Sequence, residues 1–270
     1  MPNFDWSQYT GNLPWLKERT IYMTLAGSHS YGTNIESSDQ DYRGVAIAPP
    51  EFYLGVIDKF EQHESTGDRS GGNLHKTREQ TGKEPDLVIF EFRKFIKLAS
   101  QANPNILELL FTDTLDVDQE STMVLGWELR EMRDLFVTKR VSGTFSGYAW
   151  GQLKKLQISG GVGGLPGSQR EARVKQFGYC TKNAMHLVRL LRMCREILET
   201  GKVNVRRKDA AELLAIRNGA WTLKELVQYA EQEDKDLDQV AAKSYLPDQP
   251  DMKEIDRRCV EIMKGGLEWL

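Results

Sequence analysis

Two rhythms divide the chain. Up to about residue 120 apolar residues come in short dense blocks, and beyond it they recur three and four apart. TIYMTLAG, 20–27, is apolar and β-branched and stops at Gly27, while DYRGVAIA, 41–48, stops before Pro49-Pro50. Both patterns predict short strands. DLVIFEF, 86–92, predicts a buried strand. KFIKLASQANPNILELLF, 94–111, predicts two helical pieces broken at Asn103-Pro104, because the residue before a proline avoids the helical region. Between these, the polar and Gly-rich segment 59–85 reads as a mobile loop or weak hairpin.

The later rhythm is helical. VLGWELREMRDLFVTKR, 124–140, carries it, and so does KQFGYCTKNAMHLVRLLRMCREILETG, 175–201, where Gly201 fits a C-terminal stop. WTLKELVQYAEQEDKDLDQV, 221–240, opens on Thr222 with Glu225 three residues on, which predicts a capping box. Glycine-rich SGGVGGLPGSQ, 159–169, separates two helical blocks. The pattern therefore predicts an α/β half, 1–118, followed by a mainly helical half, 119–270, with the boundary in TDTLDVDQES, 112–121.

Composition narrows the class without naming a function. At 270 residues, 40% hydrophobic and 28% charged, the chain has room for one large or two small globular domains. A formal net charge of -3 excludes a global polycation, so any contact with nucleic acid must rest on local patches. The first residues, MPNFDWSQYTGNLPWLKERT, lack a basic-then-apolar leader, and no apolar run approaches the ~18 residues of a membrane helix. Three widely spaced cysteines, Cys180, Cys194 and Cys259, read as reduced thiols of a cytoplasmic protein, not as a disulfide frame or zinc site.

The candidate chemistry lies in GSHSYGTNIESSDQDYRG, 27–44. Residues two apart on a strand share a face, so Asp39 and Asp41 are expected to project together. Paired carboxylates repel unless a cation lies between them, and Mg²⁺ combines a few carboxylates with phosphate oxygens. Gly27 lets the backbone approach a phosphate, Ser28 can donate to it, and GTNIESS is expected to begin a helix or tight turn aimed at the same ligand. These are the parts of a two-metal phosphoryl-transfer centre. Asp-x-Asp alone is common in solvated turns; the weight falls on the joint order of strand, Gly-Ser, spacer, Asp-x-Asp and strand.

That order, in AGSHSYGTNIESSDQDYRGV, resembles the signature of the DNA polymerase beta-like nucleotidyltransferase superfamily. SDQDYRGVAIAPPEFYLG, ANPNILELLF, FGYCTKNAMHLVRLLRMCREILETG and LLAIRNGAWTLKEL resemble its RNA-repair-pathway polymerase-beta branch, over most of the chain. The resemblance implies a polymerase-beta-like domain with a mixed sheet, followed by a mainly helical domain. It implies that Gly27 and Ser28 contact nucleotide phosphates and that Asp39 and Asp41 bind Mg²⁺. It also implies a third carboxylate from a neighbouring strand. Asp86 is the expected one, as metal ligand or base, and Glu91, five residues on and facing the other way, is the alternative.

Other residues carry both a functional and a plain reading. Tyr179, Lys182, His186 and Arg189 fall on one helical face, opposite an apolar stripe of Ala184, Leu187, Leu191 and Cys194. Lys182 and Arg189 could hold a triphosphate or RNA phosphates with Tyr179 stacked on a base, or the face is a solvated basic surface. Lys139, Arg140, Lys154 and Lys155 around Tyr148 and Trp150 suit a nucleic-acid groove or an ordinary helix with a core Trp. Arg43 could balance the carboxylates, reach a phosphate or form a structural ion pair. His63 and His75 read as loop residues, 205–208 as surface, and 159–169, which lacks a P-loop ending, as a loop closing over substrate.

The reading these features support is a Mg²⁺-dependent nucleotidyltransferase that takes a nucleoside triphosphate such as ATP and releases pyrophosphate, with RNA as a candidate acceptor and no membrane partner. A small-molecule or protein acceptor would use the same chemistry. A silent nucleotide-binding module would not need both carboxylates, and a purely structural helical protein would need none.

Overall fold

The computed structural model describes residues 4–9, 11–65, 86–112, 120–158 and 169–269. The predicted loop beyond residue 65 with His75, most of the expected boundary stretch and the glycine-rich 159–168 segment lie outside the described residues. A 3-10 turn at Trp6–Gln8 leads to α1 (Leu16–Arg19), β1 (Thr20–Ala26), α2 (Gly27–Tyr31), β2 (Asp41–Ala46), α3 (Glu51–Leu54), β3 (Gln62–Glu64) and β4 (Asp86–Glu91). Helices follow: α4 (Phe92–Ser100), α5 (Pro104–Phe111), α6 (Glu120–Glu131), a 3-10 turn at Arg133–Phe136, α7 (Val141–Ile158), α8 (Gln169–Phe177), α9 (Thr181–Thr200), α10 (Ala210–Arg217), α11 (Leu223–Lys243) and α12 (Met252–Trp269).

The sheet is mixed, in the order β1-β2-β4-β3. β1 and β2 run antiparallel, β2 and β4 parallel, and β3 and β4 antiparallel. Alternation along the strands gives it two faces. One face carries Met23, Tyr42, Ala46, Leu87 and Ile89, which close with Phe4 and Leu16 into a core ringed by Trp6, Tyr9, Leu13, Trp15 and Phe60. Fully burying an aliphatic or aromatic side chain of this kind is worth about 1.5–3 kcal/mol. The other face carries Tyr22, Thr24, Asp41, Arg43, Asp86 and Val88. There the Tyr22 hydroxyl donates to the Leu109 carbonyl of α5 at 2.5 Å, and α6 lies against β1.

Packing divides the chain elsewhere than the boundary expected between 118 and 119. One compact unit comprises Met1–Ser100, Glu108–Leu135 and Asp251–Leu270; the other comprises Gln101–Leu107 and Phe136–Pro250. Helices α6 and α12 therefore group with the sheet. Gly265 and Gly266 show how: without side chains they let α12 approach Leu125 of α6 and Ile47 just after β2. Helical periodicity over 124–140 pointed to α6 but carried no record of what it packs against.

In the second unit α9 is central, packed by α7, α8, α10 and α11. Met185, Val188 and Leu190 are buried along with the predicted stripe, so the core wraps further round the helix than the sequence suggested. Gly201 ends it at φ 66°, its N–H donating to the Ile197 carbonyl. Thr222 and Glu225 form the expected capping box on α11. The predicted run 175–201 is interrupted: α8 ends at Phe177, Gly178 has φ 78°, and Cys180 is the N-cap of α9. None of the three cysteines is in a disulfide. Among the described residues no helix is long and apolar enough to cross a membrane.

Candidate active site

Gly27 joins β1 to α2 at φ 64°, in the left-handed region that favours glycine. A Cβ there would also overlap a carboxylate oxygen of Asp41. Two independent constraints thus exclude a side chain, and the second ties the opening glycine to the first acid of β2. The short helix falls on GSHSY, earlier than the GTNIESS expected from the sequence, and Ile35–Ser38 forms the turn that follows. There the Ser38 N–H donates to the Ile35 carbonyl at 2.8 Å, and the Ser38 hydroxyl accepts from the Ile35 N–H at 2.9 Å. Gly32, at φ 74°, closes α2 by donating to the carbonyls of Ser28 and His29. The Tyr31 hydroxyl donates to Glu108 Oε2 at 2.5 Å, tying α2 to α5 through a buried acid that sequence reasoning missed. The one signal was a lone carboxylate in the apolar run NILELLF.

Asp41 and Asp86 open adjacent parallel strands as direct partners, and so share a face. Arg43, two residues along β2, lies between them. Its Nη2 is 2.9 Å from Asp86 Oδ2 and 3.8 Å from Asp41 Oδ1, and its Nη1 donates to the carbonyls of Tyr42 at 2.8 Å and Asp86 at 2.7 Å. Asp86 Oδ1 is buried and accepts no hydrogen bond among the described residues. Asp39 is exposed and precedes the strand, so strand parity does not align it with Asp41 as expected. Glu91 lies on the opposite face, 5% exposed, where Oε2 accepts the Lys94 N–H at 2.9 Å and so satisfies the first turn of α4. The structure thus brings Gly27, Asp41, Asp86 and Arg43 together and turns Glu91 away. Ser28 follows Gly27 in the same short helix.

Among the described residues no three His, Cys, Asp or Glu side chains converge as a metal-holding group. The pair Asp41 and Asp86 nevertheless fits a hard, oxygen-seeking cation. Both are carboxylates on one face, one buried Asp86 oxygen accepts no hydrogen bond among the described residues, and the Asp41 carboxylate lies against Gly27.

The remaining candidates belong to the second unit. Lys182 is exposed, but Arg189 is only 3% exposed and its Nη1 donates to Met193 Sδ at 3.1 Å. His186 lies between them, its pKa pushed down to about 3 by burial and then by Arg189, Lys182, Arg217 and Lys155. The expected cationic face is therefore largely internal. Tyr179 precedes α9 instead of joining its face; its ring is buried and its hydroxyl donates to the Trp221 carbonyl. Tyr148 is half-exposed and accepts from Asn103 Nδ2 at 2.8 Å, and Lys139 pairs with Asp248 at 3.1 Å. Arg207, expected at the surface, is held by Glu196 at 2.6 Å and Asp209 at 2.9 Å. His63, expected in a loop, lies in β3 in the first unit and packs edge-on against Tyr9.

Comparison with known proteins gives this geometry a family. The model of the RNA repair pathway DNA polymerase beta family matches residues 9–261. An uncharacterized 38.9 kDa protein from the nrdC-mobD intergenic region of Enterobacteria phage T4 is 26% identical over 144 residues, which is 53% of this chain and 40% of that protein. The match thus spans less than half of the relative's length, and its name carries no activity. The family's name implies a polymerase-beta-like nucleotidyltransferase in RNA repair, in keeping with the mixed sheet and helical part described above. The chain belongs to the RNA repair pathway DNA polymerase beta family.

Proposed function

We propose that the protein is a Mg²⁺-dependent nucleotidyltransferase that moves a nucleoside monophosphate from a triphosphate such as ATP to an acceptor hydroxyl, with an RNA end as the acceptor. The acceptor oxygen forms a bond to the α-phosphorus while the bond to the departing pyrophosphate breaks. The observation that carries this reading is the side-by-side opening of β2 and β4 by Asp41 and Asp86, with Gly27 held against Asp41. Asp41 and Asp86, with Asp39 on the approach to β2, would hold Mg²⁺, which when bound supplies charge neutralisation at the transferring phosphoryl group. Asp86 is assigned to take the acceptor's proton. Gly27 and Ser28 are assigned to the phosphates, with backbone N–H groups and the Ser28 hydroxyl as donors. Of the second-unit candidates, Lys182 is exposed, whereas Arg189 and Tyr179 are buried.

The test is transfer of label from each α-labelled nucleoside triphosphate, with Mg²⁺, into RNA with free hydroxyl ends, followed by mass spectrometry. Labelled RNA with matching pyrophosphate supports the proposal. Label in protein or a small molecule keeps the chemistry and moves the acceptor. Nucleotide binding with no transfer to any pool would overturn the enzymatic reading and leave a binding module.

A further inference from the structure

The guanidinium of Arg43 lies between the two carboxylates of the proposed site. Asp41 and Asp86 are register partners on one face, and two carboxylates so placed cannot both stay charged at low cost without a cation between them. Arg43 meets that need with Nη2, 2.9 Å from Asp86 and 3.8 Å from Asp41. Its other nitrogen has a different task, since Nη1 donates to two main-chain carbonyls, Tyr42 and Asp86. One half of the planar fork is therefore anchored to backbone that does not titrate or leave. The other half is held by the very carboxylates that would have to receive a metal. The side chain is 22% exposed, so that second half has a route to solvent.

We propose that Arg43 couples metal binding to nucleotide binding: it is the resident counter-cation of Asp41 and Asp86, gives up that position when a divalent cation arrives, and then donates to a phosphate of the incoming triphosphate. This rests on the metal-dependent reading above. A divalent cation beside a retained guanidinium would be repelled, so metal alone binds weakly. A triphosphate supplies the negative charge that the displaced guanidinium then needs, and its geometry suits the two-pronged donor. Each ligand therefore strengthens the other, as reciprocity of coupling requires. The contact with the Asp86 carboxylate is lost in this exchange while the anchors on the Tyr42 and Asp86 carbonyls are kept.

The experiment measures Mn²⁺ binding by the electron paramagnetic resonance signal of the free ion, with and without a non-hydrolysable nucleoside triphosphate. It compares wild type, Arg43→Gln and Arg43→Lys, with melting curves of the metal-free proteins. In Arg43→Gln the account expects Mn²⁺ alone to bind on the order of tenfold more tightly than in wild type, because one repelling charge is gone. It also expects the gain from added nucleotide to shrink and the metal-free protein to melt lower. Arg43→Lys keeps the charge without the fork, so its Mn²⁺ affinity stays near wild type while its nucleotide gain falls, and it stands in if Arg43→Gln does not fold. Unchanged or weaker Mn²⁺ binding in Arg43→Gln, or a full nucleotide gain in both variants, overturns the coupling role while leaving the metal site standing. Wild type that takes up no Mn²⁺ with or without nucleotide overturns the metal reading and the coupling together.

Discussion

Gly27 shows how much a single residue can fix. Its left-handed backbone and its contact with the Asp41 carboxylate both exclude a Cβ. Gly27→Ala should cost about 1–2 kcal/mol from backbone strain, visible as a lower urea midpoint. Its effect on nucleotide binding should be larger than that loss implies, since Asp41 must also move; calorimetry with a non-hydrolysable triphosphate would show it, and wild-type affinity would contradict the placement. Tyr31→Phe removes the donor to buried Glu108 and should destabilise by about 1–3 kcal/mol, whereas Glu108→Gln, which can still accept from the tyrosine, should cost less. Urea unfolding of both variants checks the order. The contact of Gly27 with Asp41 was within reach of the sequence because both lie in one short stretch whose chemistry is local. Arg43 was legible only as a set of alternatives, because its main partner lies 43 residues away and is brought beside it by strand pairing. Glu108 was missed because burial, not its neighbours in sequence, gives it meaning.

At the scale of the element, β4 separates two carboxylates. Asp86 and Glu91 stand at opposite ends and on opposite faces of one strand, one beside Asp41 and the other at the start of α4. Asp86→Asn should therefore cost far more transfer activity than Glu91→Gln, and Glu91→Gln should show its effect mainly in the melting curve. Assays of both under identical conditions decide it; an inactive Glu91→Gln beside an active Asp86→Asn would reverse the assignment. The two face opposite ways, as strand parity predicts, because the strand is regular from Asp86 to Glu91. Parity failed for Asp39 because β2 begins only at Asp41. Helix ends were read well wherever a cap is chemically explicit, as at Gly201 and at Thr222 with Glu225. Thr222→Ala should lower stability by about 1 kcal/mol, measured by urea unfolding. The break at Gly178 was missed because apolar spacing continues across it, and so Tyr179 was placed on a helix it precedes.

For the whole molecule, the sequence announced an α/β part and a helical part but misassigned α6 and α12, since amphipathic spacing reports that a face is buried and not against what. The cationic face of α9 was misjudged for the same reason, and its burial makes a pH prediction. His186 has a folded pKa of about 3, below its ordinary value of 6.5, so the unfolded chain binds the proton more readily. Its contribution to stability is full above about pH 6.5 and is lost as the pH falls toward 3. Melting temperature should fall across that window less steeply in His186→Gln than in wild type. The family's name implies a nucleotidyltransferase, and the proposed transfer rests on the carboxylates. The measurement that meets it most directly is pyrophosphate release from a nucleoside triphosphate with Mg²⁺ and an RNA acceptor, by wild type and by Asp41→Asn, each with its melting curve. The account predicts steady release by wild type and near-complete loss in Asp41→Asn with the fold retained; wild-type turnover in a folded Asp41→Asn would contradict it.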